Sequence, residues 1–201
     1  MRMVGSTMAR LAGTAMIALW LGACSGAGGQ EGDTTTTTTD EASGTDMGAG
    51  AFVSLIDQDA WMEVDAGQDP LADHRPEMVD CGLAGWTIEN GESLEIDTNF
   101  CNYLALSQPS LAPIAAGATV ELDFYYFDLT APEPAEAHFA MLVDGQILWE
   151  TTIAIPGKAN VHSESFAAPF AAPEGAEVII HLHNHGQNTW QFDGLRVWVP
   201  D

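Results

Sequence analysis

The chain has 201 residues, 46% of them hydrophobic, and sets 29 Asp and Glu against 5 Lys and Arg, a formal net charge of -24 at pH 7. A surface of that sign repels nucleic acid and anionic membrane, so a function built on a basic patch is excluded. Its 3 cysteines, Cys24, Cys81 and Cys101, are an odd number for an exported chain, in which thiols normally pair.

The opening stretch "MRMVGSTMAR" carries Arg2 and Arg10 and no acid, and "LAGTAMIALWLGA" after it is apolar throughout. About a dozen apolar residues is the length of a signal-peptide core and falls short of the ~20 that a spanning helix requires. The run ends in Leu21-Gly22-Ala23-Cys24, which resembles the lipobox of bacterial lipoproteins. The resemblance implies that diacylglycerol is attached to the Cys24 sulfur, that residues 1–23 are removed, and that the membrane is a partner through this anchor. Each acyl methylene buried adds about 0.8 kcal/mol to such anchoring. The implied location is the bacterial cell envelope, with Ser25 rather than Asp after the cysteine pointing to the outer membrane.

Residues 24–50, with "SGAGGQEGDTTTTTTDEASGTDMGAG", hold almost nothing to bury and are expected to form a disordered tether. Residues 51–201 are then one domain of about 150 residues, enough for a hydrophobic core, with no internal repeat. With Cys24 assigned to lipid, Cys81 and Cys101 remain as one expected disulfide outside the cytosol. Closing a loop of about twenty residues contributes on the order of 3 kcal/mol in the chain-entropy model.

The domain reads as strands. "SLIDQDAWMEV" is an edge strand, or one helical turn followed by a strand. "GWTIENGESLEIDT" is a hairpin about Asn90-Gly91, with Trp86, Ile88, Leu94 and Ile96 inward and Thr87, Glu89, Glu95 and Asp97 in water. "ATVELDFYYFDL" puts Val120, Leu122, Phe124 and Tyr126 on one face and Glu121 and Asp123 on the other. A second hairpin turns at Asp144-Gly145, and "EVIIHLHNH" and "TWQFDGLRVWV" follow. In the last run a bulge at Asp193-Gly194 brings Trp190, Phe192, Leu195, Val197 and Val199 to one face. Pro109, Pro113, Pro132, Pro134, Pro156, Pro169 and Pro173 lie between runs. The expected fold is all-β, an antiparallel jelly-roll-like β-sandwich.

"WQFDGLRVWV" is similar to the closing strand of jelly-roll carbohydrate-binding modules and galactose-binding-like domains. That resemblance implies a structural calcium at Asp193, with Asp57, Asp59 or Glu63 as partners, because calcium takes several oxygen ligands. "HLHNHG" is the most chemically loaded stretch: on a strand His181, His183 and His185 share a face at spacings of about 6.5 Å, with Leu182 and Asn184 opposite. An H-x-H pair ligates a transition metal when a neighbouring strand adds a further group, with His138 or His162 as candidates. Gly175, His181, His183, Gln187 and Gly194 also follow the spacing of the first cupin motif, without its carboxylate and without a second motif downstream.

A concave face bearing His181, His183, Asn184, His185 and Trp190 combines hydrogen-bonding groups with an aromatic plate, the mixture a sugar requires. No nucleophile elbow, H-E-x-x-H helix, P-loop or dinucleotide fingerprint occurs. The function expected is therefore non-catalytic recognition of a glycan or an envelope protein. The alternative is a metal-dependent, cupin-like enzyme centred on His181 and His183.

Overall fold

The turn residues act as the sequence suggests. Asn90 and Gly91 adopt φ of 55° and 72°, and Asp144 and Gly145 adopt 48° and 72°; the second left-handed pair closes a two-residue hairpin between Val143 and Gln146, while the first sits in a longer connection in which Glu89 pairs with Ser93. In a computed structural model that describes residues 49–201, these turns join β3 (Trp86–Glu89) to β4 (Ser93–Asp97) and β7 (Ala135–Val143) to β8 (Gln146–Ile155). The strand before them is β1 (Gly50–Ser54), followed by a 3-10 turn, Gln58–Ala60, and the two-residue β2 (Met62–Glu63). Both the turn and the strand expected from "SLIDQDAWMEV" are present, and pairing starts one residue before the expected boundary at Ala51.

The remaining strands are β5 (Tyr103–Pro109), β6 (Thr119–Tyr126), β9 (Asn160–Ala167), β10 (Glu177–Asn184) and β11 (Thr189–Pro200). They complete two antiparallel sheets, one ordered β3-β4-β11-β6-β9 with β1 also on β11, the other β2-β5-β10-β7-β8. The chain passes between the sheets repeatedly, so the described residues form the expected jelly-roll-like β-sandwich. Three strands lie outside the sequence expectation: β1, β5 and β9. Pro109, expected between runs, is the last residue of β5 and sits opposite Glu177, a terminal position that tolerates a missing donor.

Period-two alternation fills the space between the sheets. Val120, Leu122, Phe124 and Tyr126 of β6 meet Ala137, Phe139, Met141 and Val143 of β7 and Val178, Ile180 and Leu182 of β10 in one core. The expected bulge is present, with pairing to β6 shifting between Phe192 and Gly194. It returns Leu195 and Val197 to the core, at 0% and 1% exposure. Val199 is the exception: it is exposed and pairs with Ala51 of β1, beyond Val197, the last residue of β11 that pairs with β6.

The five-stranded sheet is covered on its outer side as well. Residues 64–80 fold over it, and Val64 and Leu71 pack on Ala140, Leu142 and Ile179 in a second small cluster. The base of this cover is tied by the disulfide Cys81–Cys101. Beside it the Asp80 N–H donates to Asn102 Oδ1 at 2.9 Å, and Asn102 Nδ2 donates to the Met78 carbonyl at 3.0 Å. Farther in, the Tyr103 hydroxyl donates to the carboxylate of Asp69, which also meets Arg75 Nη1 at 3.4 Å. The guanidinium lies over the Tyr103 ring, 5.0 Å from its centroid. A buried carboxylate is tolerated only when paired and hydrogen-bonded in this way.

Candidate functional site

The cover brings His74 over β7 and β10, and this assembles a site from distant parts of the chain. His74 ends the 3-10 turn Ala72–His74, His138 lies on β7 and His181 on β10. One ring nitrogen from each lies within 4.8 Å of the others. The His74 and His138 rings stack with centroids 4.3 Å apart, and the His138 and His181 centroids are 5.2 Å apart. His183 stands directly opposite His138 in the register of β10 and β7, and its ring is 4.3 Å from that of His185. Together His74, His138, His183 and His185 with Glu136 and Thr152 line a cleft of about 170 Å³.

Burial sets the charge of this cluster. His181 is 0% exposed, and its pKa falls to about 3, chiefly from that burial and further from the charges of His138, His74 and His183. His183 falls to about 4 for the same leading reason, with His185 next. Both are neutral imidazoles at physiological pH, and each therefore carries a free lone pair. Tyr103, edge-on to His181 with centroids 5.1 Å apart, has its pKa raised by burial and then by Asp69. It stays a phenol and donates.

The residues selected from the sequence separate. His181 and His183 share the covered face as expected, and His185 extends past the end of β10. Asn184 is buried at 1% exposure, and its Nδ2 donates to the Gly186 carbonyl at 2.6 Å. Trp190 is 2% exposed and stacks between the sheets, near-parallel to Phe124 and Phe139 at 6.4 and 6.2 Å. Neither reaches a ligand on the surface, because the β10 parity that sends histidines outward sends Asn184 inward, and Trp190 belongs to the opposite sheet.

The acids proposed for calcium do not converge. Asp193 Oδ1 accepts from Ser93 Oγ at 2.8 Å, Asp57 Oδ1 caps the Asp59 N–H at 3.0 Å, and Glu63 Oε1 accepts from Trp86 Nε1 at 3.2 Å. Among the described residues, His74, His138 and His181 are the one set of three His, Cys, Asp or Glu side chains whose ligand atoms come together. Of the two histidines in the cupin spacing, His181 belongs to this set and His183 stands outside it. His162 stacks on Phe124 at 4.4 Å, on the other sheet.

A second surface was not singled out in the sequence. On the outer side of the six-stranded sheet, Tyr125 projects from β6 beside Phe127, rings 5.8 Å apart and nearly perpendicular. Phe127 and Val161 are exposed, and Tyr125, Tyr126, Phe127, Ala159, Asn160 and Val161 line a groove of about 420 Å³. Next to the aromatic pair, Gln191 Nε2 donates to Glu89 Oε2 and to Glu95 Oε2, both at 3.1 Å. The Tyr125 hydroxyl donates to Gln191 Oε1. Burial, then the neighbouring Glu89 charge, raises the pKa of Glu95. The signal was available: in "DFYYF" the parity that buries Phe124 and Tyr126 turns Tyr125 and Phe127 to solvent.

No family model matches the chain, and no curated protein does. It is similar to solved carbohydrate-binding modules. One, described as "CBM4 structure and function", shares 16% identity at a TM-score of 0.39, over 70% of this chain and 87% of that one. A module described as non-crystalline cellulose specific, CBM28, shares 10% identity at 0.41, over 69% and 87%. The N-terminal cellulose-binding domain of Cellulomonas fimi β-1,4-glucanase C shares 13% identity at 0.38, over 61% and 92%.

Cys24, the rest of the lipobox and nearly all of the expected tether lie outside the described residues. Among the described residues no helix is long and apolar enough to cross a membrane.

Proposed function

We propose that this protein is a lipid-anchored recognition module of the bacterial envelope that binds glycan, without catalysis, on the outer face of its six-stranded sheet. The observation that carries this reading is the exposed aromatic step of Tyr125 and Phe127 beside the Glu89–Gln191–Glu95 hydrogen-bond chain. Sugar C–H faces stack on aromatic rings while hydroxyls need convergent donors and acceptors. Here a plate adjoins carboxylate and amide oxygens held in place by one another. Asp123 and Ser163, hydrogen-bonded to each other on the adjoining strands, extend the polar surface. This face replaces the histidine strand as the sugar-binding surface because Trp190, the plate expected there, is buried. The lipobox at Leu21–Cys24, read from sequence, supplies the anchor.

Two measurements test the reading. The full chain on a glycan array is expected to retain a neutral oligosaccharide in the presence of chelator. Tyr125→Ala and Phe127→Ala are each expected to weaken that binding about tenfold, since an aromatic stack contributes about 0.5–1.5 kcal/mol beyond area. Silence across the array, or binding indifferent to both substitutions, contradicts glycan recognition here. For the anchor, Cys24→Ser is expected to move the protein from the detergent to the aqueous phase. A native chain whose mass shows Cys24 without acyl groups contradicts it.

A further inference from the structure

We propose that His74, His138 and His181 bind one divalent transition-metal ion, which clamps the covering segment to the five-stranded sheet. The donors come from three separate places, a 3-10 turn, β7 and β10, and their ligand atoms already lie within 4.8 Å of one another. Three nitrogens around an ion of zinc size stand about 3.3 Å apart at bond lengths of about 2.0–2.1 Å. A modest rotation of side chains closes that difference, and His74, on an exposed turn, is the one placed to make it.

The second observation is independent of the clustering. Both ring nitrogens of the fully buried His181, and Nδ1 of His138, have no hydrogen-bond partner. An imidazole buried with two unmatched nitrogens is costly in a native interior, and such orphaned groups call for an explanation. A metal ion supplies the missing partner for a lone pair. His138 is arranged as a ligand generally is: Nε2 meets Glu150 Oε2 at 3.0 Å, which orients the ring and directs Nδ1 inward. A carboxylate behind a ligating histidine fixes the tautomer and raises donor strength. Neutral nitrogen donors select zinc, copper or nickel over calcium or magnesium. The fourth position would face the cleft bearing Glu136, Thr152, His183 and His185, and the net charge of -24 favours a cation.

This site lies on the opposite sheet from the proposed glycan face, so it stands or falls separately. The full chain, stripped with EDTA and dialysed, is titrated with zinc chloride in the absence of sugar. One zinc per chain is expected by elemental analysis, with a melting temperature raised by about 10 °C when zinc is at a thousand times its dissociation constant. Cobalt(II) in place of zinc should give the visible absorption of a four-coordinate site. His181→Ala is expected to abolish binding but also disturbs the interior, so two surface variants carry the decision. His74→Ala and Glu150→Gln should keep the metal-free melting temperature and weaken zinc at least about tenfold, the Glu150 effect being that of a positioning residue. Absence of stoichiometric zinc, or affinity unchanged in His74→Ala, overturns the proposal.

Discussion

Replacing Trp190 by alanine is expected to lower the stability of the domain by about 3–5 kcal/mol, the range for emptying a large aromatic site in a core. The indole is 2% exposed and is surrounded by Phe124, Tyr126 and Phe139, with Phe192 of its own strand against Phe139. These rings are held between two sheets that cannot collapse onto the space left behind, which places the cost toward the top of the range. In a domain of this size the loss corresponds to a fall in melting temperature of roughly 10 °C or more. Tyr125→Ala, one position off the core parity of the neighbouring strand, is expected to change stability by no more than about 1 kcal/mol, as solvent-facing substitutions do. Urea unfolding of the two variants separates a packing residue from a recognition residue. A native-like midpoint for Trp190→Ala would return this tryptophan to the list of ligand contacts.

The second large effect is on pH dependence, measured with chelator present. His181 titrates at about 3 in the folded chain and near 6.5 once unfolded. Between these values the unfolded chain holds a proton that the folded chain excludes. Stability from this residue is therefore complete above about pH 6.5 and drains as the pH falls toward 3. At about 1.36 kcal/mol per unit, the total is on the order of 5 kcal/mol across the window. His183 moves in the same direction, with a smaller effect because it is half-buried and solvent screens it. The many carboxylates titrate over the same range, so the quantity to read is the difference between the native chain and His181→Leu, which fills the site without a titratable group. The variant should gain on the native chain by about 1.4 kcal/mol for each unit below pH 6. A difference that stays constant from pH 7 to 4 contradicts a neutral, buried His181.

What the sequence disclosed depended on whether one face of a strand or both were covered. β3, β4, β6 and β11 each face water on one side, so their alternation was legible, as was the bulge at Gly194. β5 was not, because "YLALSQP" is buried on both faces, the inner by the sandwich and the outer by residues 64–80. Its alternation is erased. β9 escaped for the opposite reason: "NVHSESFA" is an edge strand with few apolar side chains. The disulfide was legible from cysteine arithmetic, but what it ties down was not. Nothing local in "PLADHRPEM" announces a segment that crosses a sheet and brings His74 to His138 and His181. The H-x-H spacing drew attention to β10, but only the register shows that His183 stands opposite His138 while the deeper His181 meets His74. An aromatic plate was expected of Trp190 beside the histidines, although its parity with Phe192 is that of the core, and the same alternation in "DFYYF" turns Tyr125 and Phe127 away from it.

Mapping a bound oligosaccharide by amide chemical shifts would decide between the two faces of this sandwich. If the glycan reading is right, shifts concentrate at Glu89, Glu95, Tyr125, Phe127, Val161 and Gln191, and leave His138, His181 and His183 unmoved. Shifts confined to the histidine cleft, or spread without a centre at saturating sugar, would contradict it.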